Sequence, residues 1–168
     1  MESCIRNWGI KDCGITWTED EQHNDPLRTY ENWTTPDAAA ELLNRFYEVH
    51  DTDDLSGFIW DTMSLCNTGA ARIPKYISDK ASAIVHKTGT GFILEDGTVS
   101  GINDMACIIL PDGSHFELAV FIKDARCGIP ECEELIAVIA QECYEKISSS
   151  IIDISMLSFF ECGISNHS

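Results

Sequence analysis

Val85-His86-Lys87-Thr88-Gly89-Thr90-Gly91 is the stretch on which the reading of this chain turns. It carries the apolar run Ala83-Ile84-Val85 straight into a lysine, two threonines and two glycines. Apolar and β-branched residues bounded by glycine mark a strand over 83–90. Glycines at a strand end remove side chains, so that a ligand can lie against the backbone. The lysine adds a fixed positive charge and the threonines add hydrogen bonds. Together they suit a carboxylate-bearing ligand lying edge-on to the strand. Lys-Thr-Gly alone is a common chance match, so its meaning depends on what surrounds it.

Downstream the strand pattern continues. A second strand is expected over 104–110, after a link punctuated by Gly97 and Gly101, and Pro111-Asp112-Gly113-Ser114 reads as a hairpin turn. The third strand is expected over 116–124. Its run Leu118-Ala119-Val120-Phe121-Ile122 is apolar on both faces and should be covered twice. Pro130-Glu131 opens an amphipathic helix over 130–147. Its expected buried face comprises Leu135, Ile136, Val138, Ile139, Ala140, Cys143, Tyr144 and Ile147. Glu131, Glu133 and Glu134 stand at the positive end of its dipole. Ser148-Ser149-Ser150 is expected to break it and leave 148–168 as an unmatched tail.

Upstream, Thr35 as N-cap and Pro36 at the first helical position begin a helix carrying Ala38, Ala39, Leu42, Leu43, Phe46 and Tyr47 at helical spacing. A second helix over 55–65 should turn Phe58, Ile59, Trp60 and Met63 to a core. Residues 70–79, with Arg72 and Pro74, form a connector, and 18–26 read as a polar acidic loop. Helix, helix, three antiparallel strands and a helix give an α+β architecture, with helices packed on the sheet.

With 168 residues, 44% of them hydrophobic and 23% charged, the chain has the size and composition of one globular domain. A net charge of −17 excludes nucleic acid and an anionic membrane surface as partners. The eight cysteines include no Cys-x-x-Cys pair, and the closest two, Cys127 and Cys132, have no second pair or histidine near them. Spacing therefore indicates neither a metal site nor a disulfide framework. Thiols such as Cys107 read as small buried hydrophobes, and so many of them suit a reducing compartment. Residues 1–20 lack the apolar core of an export signal, and 151–160 are too short and too interrupted to span a bilayer.

At this point the residues resemble class A serine β-lactamases. The likeness rests on Lys87-Thr88-Gly89-Thr90-Gly91, Asn103-Asp104 entering the next strand, the Pro111-Asp112-Gly113 turn, the apolar third strand and the closing helix. Thr35-Pro36 followed by Leu42-Leu43 resembles the helix after that family's Ω-loop. Glu19, His23 and Asn32-Trp33 resemble a branch with a histidine in that loop. The resemblance covers 1–147: an Ω-loop over about 17–33, the sheet over about 82–124 and the closing helix over about 130–147. It implies an incomplete β-lactamase/transpeptidase-like fold.

The resemblance also implies roles. A serine attacks the lactam carbonyl, and a water activated by a carboxylate hydrolyses the acyl-enzyme. Glu19 would be that base, with Asp20 and Glu21 as competing neighbours, and His23 and Asn32 would shape the loop. Lys87 and Thr88 would bind the substrate carboxylate, with Gly89 and Thr90 completing the binding strip. The Thr90 N–H would be an oxyanion donor, a contact worth about 3 kcal/mol in the transition state. The ligand would be a β-lactam or a peptidoglycan-like small molecule, with no cofactor and no metal. The family implies a periplasmic or secreted location, whereas a chain made as written, without an export signal, would stay in the cytoplasm.

The departures are equally specific. No serine is followed three residues later by lysine, and Ser-Asp-Asn does not occur. Tyr30-Glu31-Asn32 only mimics a Tyr-x-Asn motif, and Trp17 and Asn32 stand where an arginine–acid pair would close the loop. Exposed sheet surfaces would favour self-association. Two functions remain open: part of a β-lactam hydrolase, or a non-catalytic remnant or module that binds β-lactam or stem peptide.

Overall fold

In chain order the elements are α1 (Glu2–Asn7), β1 (Cys13–Gly14), α2 (Glu19–Asn24), a 3-10 turn (Pro26–Glu31), β2 (Trp33–Thr34), α3 (Pro36–Val49), α4 (Asp54–Ser64), a second 3-10 turn (Ile73–Tyr76), β3 (Ala83–Thr90), β4 (Val99–Ile109), β5 (His115–Ala125) and α5 (Ile129–Glu161). This computed structural model describes residues 2–161, with side chains described through 150. The architecture is α+β, with helices on both faces of a three-stranded antiparallel sheet ordered β3-β4-β5.

Register begins at the hairpin. Leu110 N–H donates to Ser114 O (2.8 Å) and Gly113 N–H to Leu110 O (3.0 Å), with Gly113 at φ +85°, where a side chain is disfavoured. From there Ile109 pairs with His115 and Val99 with Ala125, while Ala83 pairs with Ile109 and Thr90 with Ile102. The central strand starts at Val99 rather than at 104, because buried Val99, Ser100 and Ile102 carry the ladder past Gly101. β5 is half-buried from His115 to Ile122. Leu118, Val120 and Ile122 pack toward α5, and α3 packs on the strand as well. The apolar edge strand is thus covered on both sides but fully on neither.

Alternation along the strands divides two cores. Ala106 and Ile108 meet Ile73, Ile77, Ile136, Ala140 and Tyr144 on the α5 side. Val85 and Cys107 meet Leu43, Trp60 and Met63 on the other. Burying each large aliphatic side chain contributes about 2 kcal/mol.

Three helix expectations need correction. Phe58 is 68% exposed, so α4 turns Trp60 and Met63 inward while Phe58 faces out. In α5, Leu135 (51%) and Val138 (42%) are exposed, and the inward stripe is Cys132, Ile136, Ala137, Ala140 and Tyr144. At 3.6 residues per turn Val138 lies about 200° round the helix from Ile136. Finally, Ser148-Ser149-Ser150 do not end the helix. Their hydroxyls donate to the carbonyls of Tyr144, Glu145 and Lys146 (2.7, 2.7 and 2.9 Å), which satisfies them inside the helix, and the backbone continues to Glu161. The remainder of the expected tail, 162–168, lies outside the described residues.

Candidate functional site

The Lys-Thr-Gly strip sits on β3, an outer strand of the sheet. Gly91 N–H donates to Gly101 O (2.8 Å), and the Leu110–Ser114 bond fixes the same alternation across β4. In antiparallel pairing the N–H groups of Thr88 and Thr90 therefore point to the open edge. Lys87, Gly89 and Thr90 are exposed, and Lys87 Nζ donates to Thr88 O (2.5 Å). Thr88 Oγ1 lies 2.8 Å from Thr68 Oγ1, which in turn lies 3.3 Å from Cys66 Sγ. Gly69 (φ +71°) passes so close that a Cβ there would collide with Thr88 Cγ2.

Behind this exposed strip lies a polar layer that the sequence did not single out. Arg72 is 4% exposed. Its Nη1 donates to Gly89 O (3.1 Å) and Asn103 O (2.7 Å), its Nη2 to Thr90 Oγ1 (2.6 Å) and its Nε to Glu133 Oε1 (3.2 Å). One guanidinium thus fastens both strands and α5. Tyr76 Oη donates to Glu134 Oε1 (2.7 Å), and Lys75 pairs with the same carboxylate, so the 3-10 turn is pinned to α5 beside Arg72. Asp104 is fully buried. Its Oδ2 accepts from Ile73 N–H (3.1 Å), and its Oδ1 lies 3.2 Å from His86 Nδ1. Burial alone would lower the His86 pKa, but the hydrogen bond and charge of Asp104 outweigh it and hold the imidazole above its ordinary value. Arg72 was visible in the sequence only as a rare cation ahead of Pro74, and nothing local announces its partners.

The acidic segment before the sheet is not all loop. Thr18 caps α2: Glu21 N–H donates to Thr18 Oγ1 (3.4 Å), while Thr18 N–H donates to Glu21 Oε2 (2.9 Å). Thr18-x-x-Glu21 is a capping box, which is the signal that identifies this helix. The Thr18 N–H holds the Glu21 carboxyl below its ordinary pKa, so this acid is spent on the cap. Glu19, beside it, has a side chain 81% exposed. His23 Nδ1 lies 2.9 Å from Glu19 O, and the ring meets Phe92 edge-on, with centroids 5.2 Å apart.

Asn32 closes the base of this loop. Its Oδ1 accepts from Thr16 N–H (2.8 Å) and Trp17 N–H (2.9 Å), and its Nδ2 donates to Trp17 O (2.8 Å). Arg28 lies over the Trp17 ring at 4.0 Å. An amide clasp and a cation–π contact stand where the resemblance suggests an ion pair. Tyr30 Oη donates to Asp124 Oδ1 (2.5 Å), which ties the loop to the end of β5.

A cavity of about 550 Å³ lies between α3, this loop base and the glycine end of β3. Asn32, Gly89 and Thr90 line it, together with Gly91, Leu42 and Met105. Glu19, His23, Lys87 and Thr88 are not among its lining residues, although Lys87 and Thr88 continue the same strip. A smaller hollow of about 240 Å³, which includes Cys66, Thr68 and His86, flanks the strip. Among the described residues no cluster of three His, Cys, Asp or Glu side chains could hold a metal ion. What the arrangement offers chemically is anion recognition: an exposed ammonium and open-edge N–H groups on one outer strand. None of the described helices is long and apolar enough to cross a membrane.

Comparison with known proteins gives the family and the fold. The model of the beta-lactamase enzyme family matches residues 1–147. A beta-lactamase of Phocaeicola vulgatus is 35% identical over 140 residues, covering 82% of this chain and 44% of its own length. The extended-spectrum beta-lactamase PER-1 of Pseudomonas aeruginosa is 34% identical over 146 residues, covering 86% and 47%. Among solved structures, TLA-3 extended-spectrum beta-lactamase superposes with a TM-score of 0.81 at 32% identity, covering 86% of this chain and 53% of that one. The chain spans about half the length of the relatives it matches.

Proposed function

The chain belongs to the beta-lactamase enzyme family, of the class A serine type, and from that premise we propose that its β3 strip binds the carboxylate of a β-lactam or of a peptidoglycan-like peptide. What supports this reading is the open edge of β3, which carries the exposed Lys87 and, by the pairing alternation, the outward N–H groups of Thr88 and Thr90. In this reading Lys87 and Thr88 hold the carboxylate, and Gly89 lets the ligand lie against the strand. The Thr90 N–H meets the lactam carbonyl oxygen as charge develops there, the step at which such a donor has most effect. Glu19 is the carboxylate that orders and deprotonates the hydrolytic water. Its exposed side chain supports the choice over Glu21, which is occupied in the cap. His23 and Asn32 keep the loop that presents Glu19 in shape.

Residues 1–147 form the family unit on this view, and an exported location goes with it. The 168 residues contain no Ser-x-x-Lys, so no serine here is paired with the lysine that activates the family's nucleophile. That absence favours a second reading for the chain by itself: ligand binding without ring opening. Calorimetric titration with a penicillin, alongside a chromogenic cephalosporin assay, separates the alternatives. Saturable binding that Lys87→Ala weakens at least tenfold, with no colour change above buffer, is the expected result. Binding unaffected by Lys87→Ala would overturn the carboxylate site, and turnover would overturn the non-hydrolytic reading.

A further inference from the structure

Sequence spacing gave Cys127 and Cys132 no common purpose, but the turn between β5 and α5 brings their sulfurs to 3.2 Å. A disulfide spans about 2.0 Å, so bond formation asks for roughly 1 Å of approach. The turn itself supplies the rest. Cys127 follows the last residues of β5, Gly128 opens the bend, and Cys132 N–H returns a hydrogen bond to Gly128 O (3.3 Å) in the first turn of α5.

The two thiols are unequal. Cys127 is exposed and open to a reagent. Cys132 is 1% exposed and belongs to the core that includes Ala125 and Ile136. Its thiol is pushed up to about 11, first by burial and then by Cys127 and the nearby Glu131 and Glu133. An accessible sulfur beside a shielded one is the arrangement of an attacking and a resolving cysteine.

We propose that Cys127 and Cys132 are a redox pair that a low-molecular-weight disulfide closes into an intrachain disulfide. Cys127, as thiolate, attacks one sulfur of the oxidant and forms a mixed disulfide, and the first small thiol leaves with its electron pair. Cys132, as thiolate, then attacks the Cys127 sulfur, and the second small thiol leaves. Each cysteine gives up a proton, each released thiolate takes one, and the oxidant is reduced to two thiols while the protein is oxidised by two electrons. The ring so formed pins the first turn of α5, where Glu133, the residue after Cys132, grips Arg72.

The probe is oxidised glutathione added to the reduced, folded chain, followed by denaturing alkylation and peptide mapping. Cys127 and Cys132 should become protected, with a cross-link joining them and no glutathione retained on either, and a dithiol reductant should restore both. Cys132→Ala should instead retain one glutathione on Cys127. Because Cys132 is buried and its variant could unfold, the exposed Cys127→Ser variant serves as the second arm and should form no cross-link at Cys132. The proposal is overturned if Cys127 and Cys132 stay open to alkylation, if Cys127 keeps glutathione or joins a different cysteine, or if Cys127→Ser protects Cys132 as well as the parent chain does.

Discussion

His86 Nδ1 lies 3.2 Å from Asp104 Oδ1, and both side chains are buried, His86 standing one residue before the exposed Lys87. Protonated His86 donates to that carboxylate, while neutral His86 forfeits the charge and keeps at most the hydrogen bond. The folded-state pKa is raised above 6.5, so the stabilisation is complete below about pH 6.5 and fades as pH rises through the folded value. Urea midpoints measured from pH 5 to 9 should fall across that window, and His86→Asn should flatten the decline. A midpoint that climbs with pH over the same range would contradict the assignment.

Loss of Arg72 should loosen the support behind β3. Arg72→Ala leaves Glu133 without its partner and removes a donor from two strand carbonyls and from Thr90. Arg72 is buried but the Glu133 side chain is 22% exposed and can take water, so the cost is that of the lost hydrogen bonds, about 2 kcal/mol, to be read from denaturant unfolding. Arg72→Lys should recover little, since an ammonium cannot span four separate acceptors. Full stability in the lysine variant would show that charge alone suffices.

Asn32→Ala should open the acidic loop without unfolding the sheet. It deletes three hydrogen bonds to Thr16 and Trp17, a loss of about 2 kcal/mol locally. Amide exchange at Thr16 and Trp17 should accelerate at least tenfold, while Ile102 and Ile108 keep their protection.

Gly69→Ala combines a left-handed backbone with a collision at Thr88, so it should destabilise by about 2 kcal/mol and shift the Thr88 methyl resonance. Gly97→Ala is the control, because Gly97 has φ +83° and open space around its Cα. Only the backbone penalty applies there, and the Thr88 methyl should stay in place.

Much of the frame was legible from local chemistry. Thr35-Pro36, the Pro111–Ser114 turn and the 83–90 strand each rest on a few neighbouring residues, and the structure has them where the sequence indicated. The misses have two causes. The serines at 148–150 and the thiols of Cys127 and Cys132 depend on partners that only the folded backbone presents. Phe58, Leu135 and Val138 are apolar residues on the outer flanks of their helices, and composition cannot say which flank meets the sheet. Around the site, the exposed strip was readable as a motif. Its buried support, Arg72 with Glu133 and Asp104 with His86, joins residues far apart in the sequence and was not.

Arg72 grips carbonyls of β3 and β4 with one nitrogen and a carboxylate of α5 with another. The outer strand and the closing helix are therefore joined through a single side chain. Fraying of the outer strand at Gly89 and Thr90 has to break that clasp, which is anchored in the helix behind it. A perturbation at the start of α5 should accordingly be felt as a change in how often the edge opens, even where no atom of the strip has been touched.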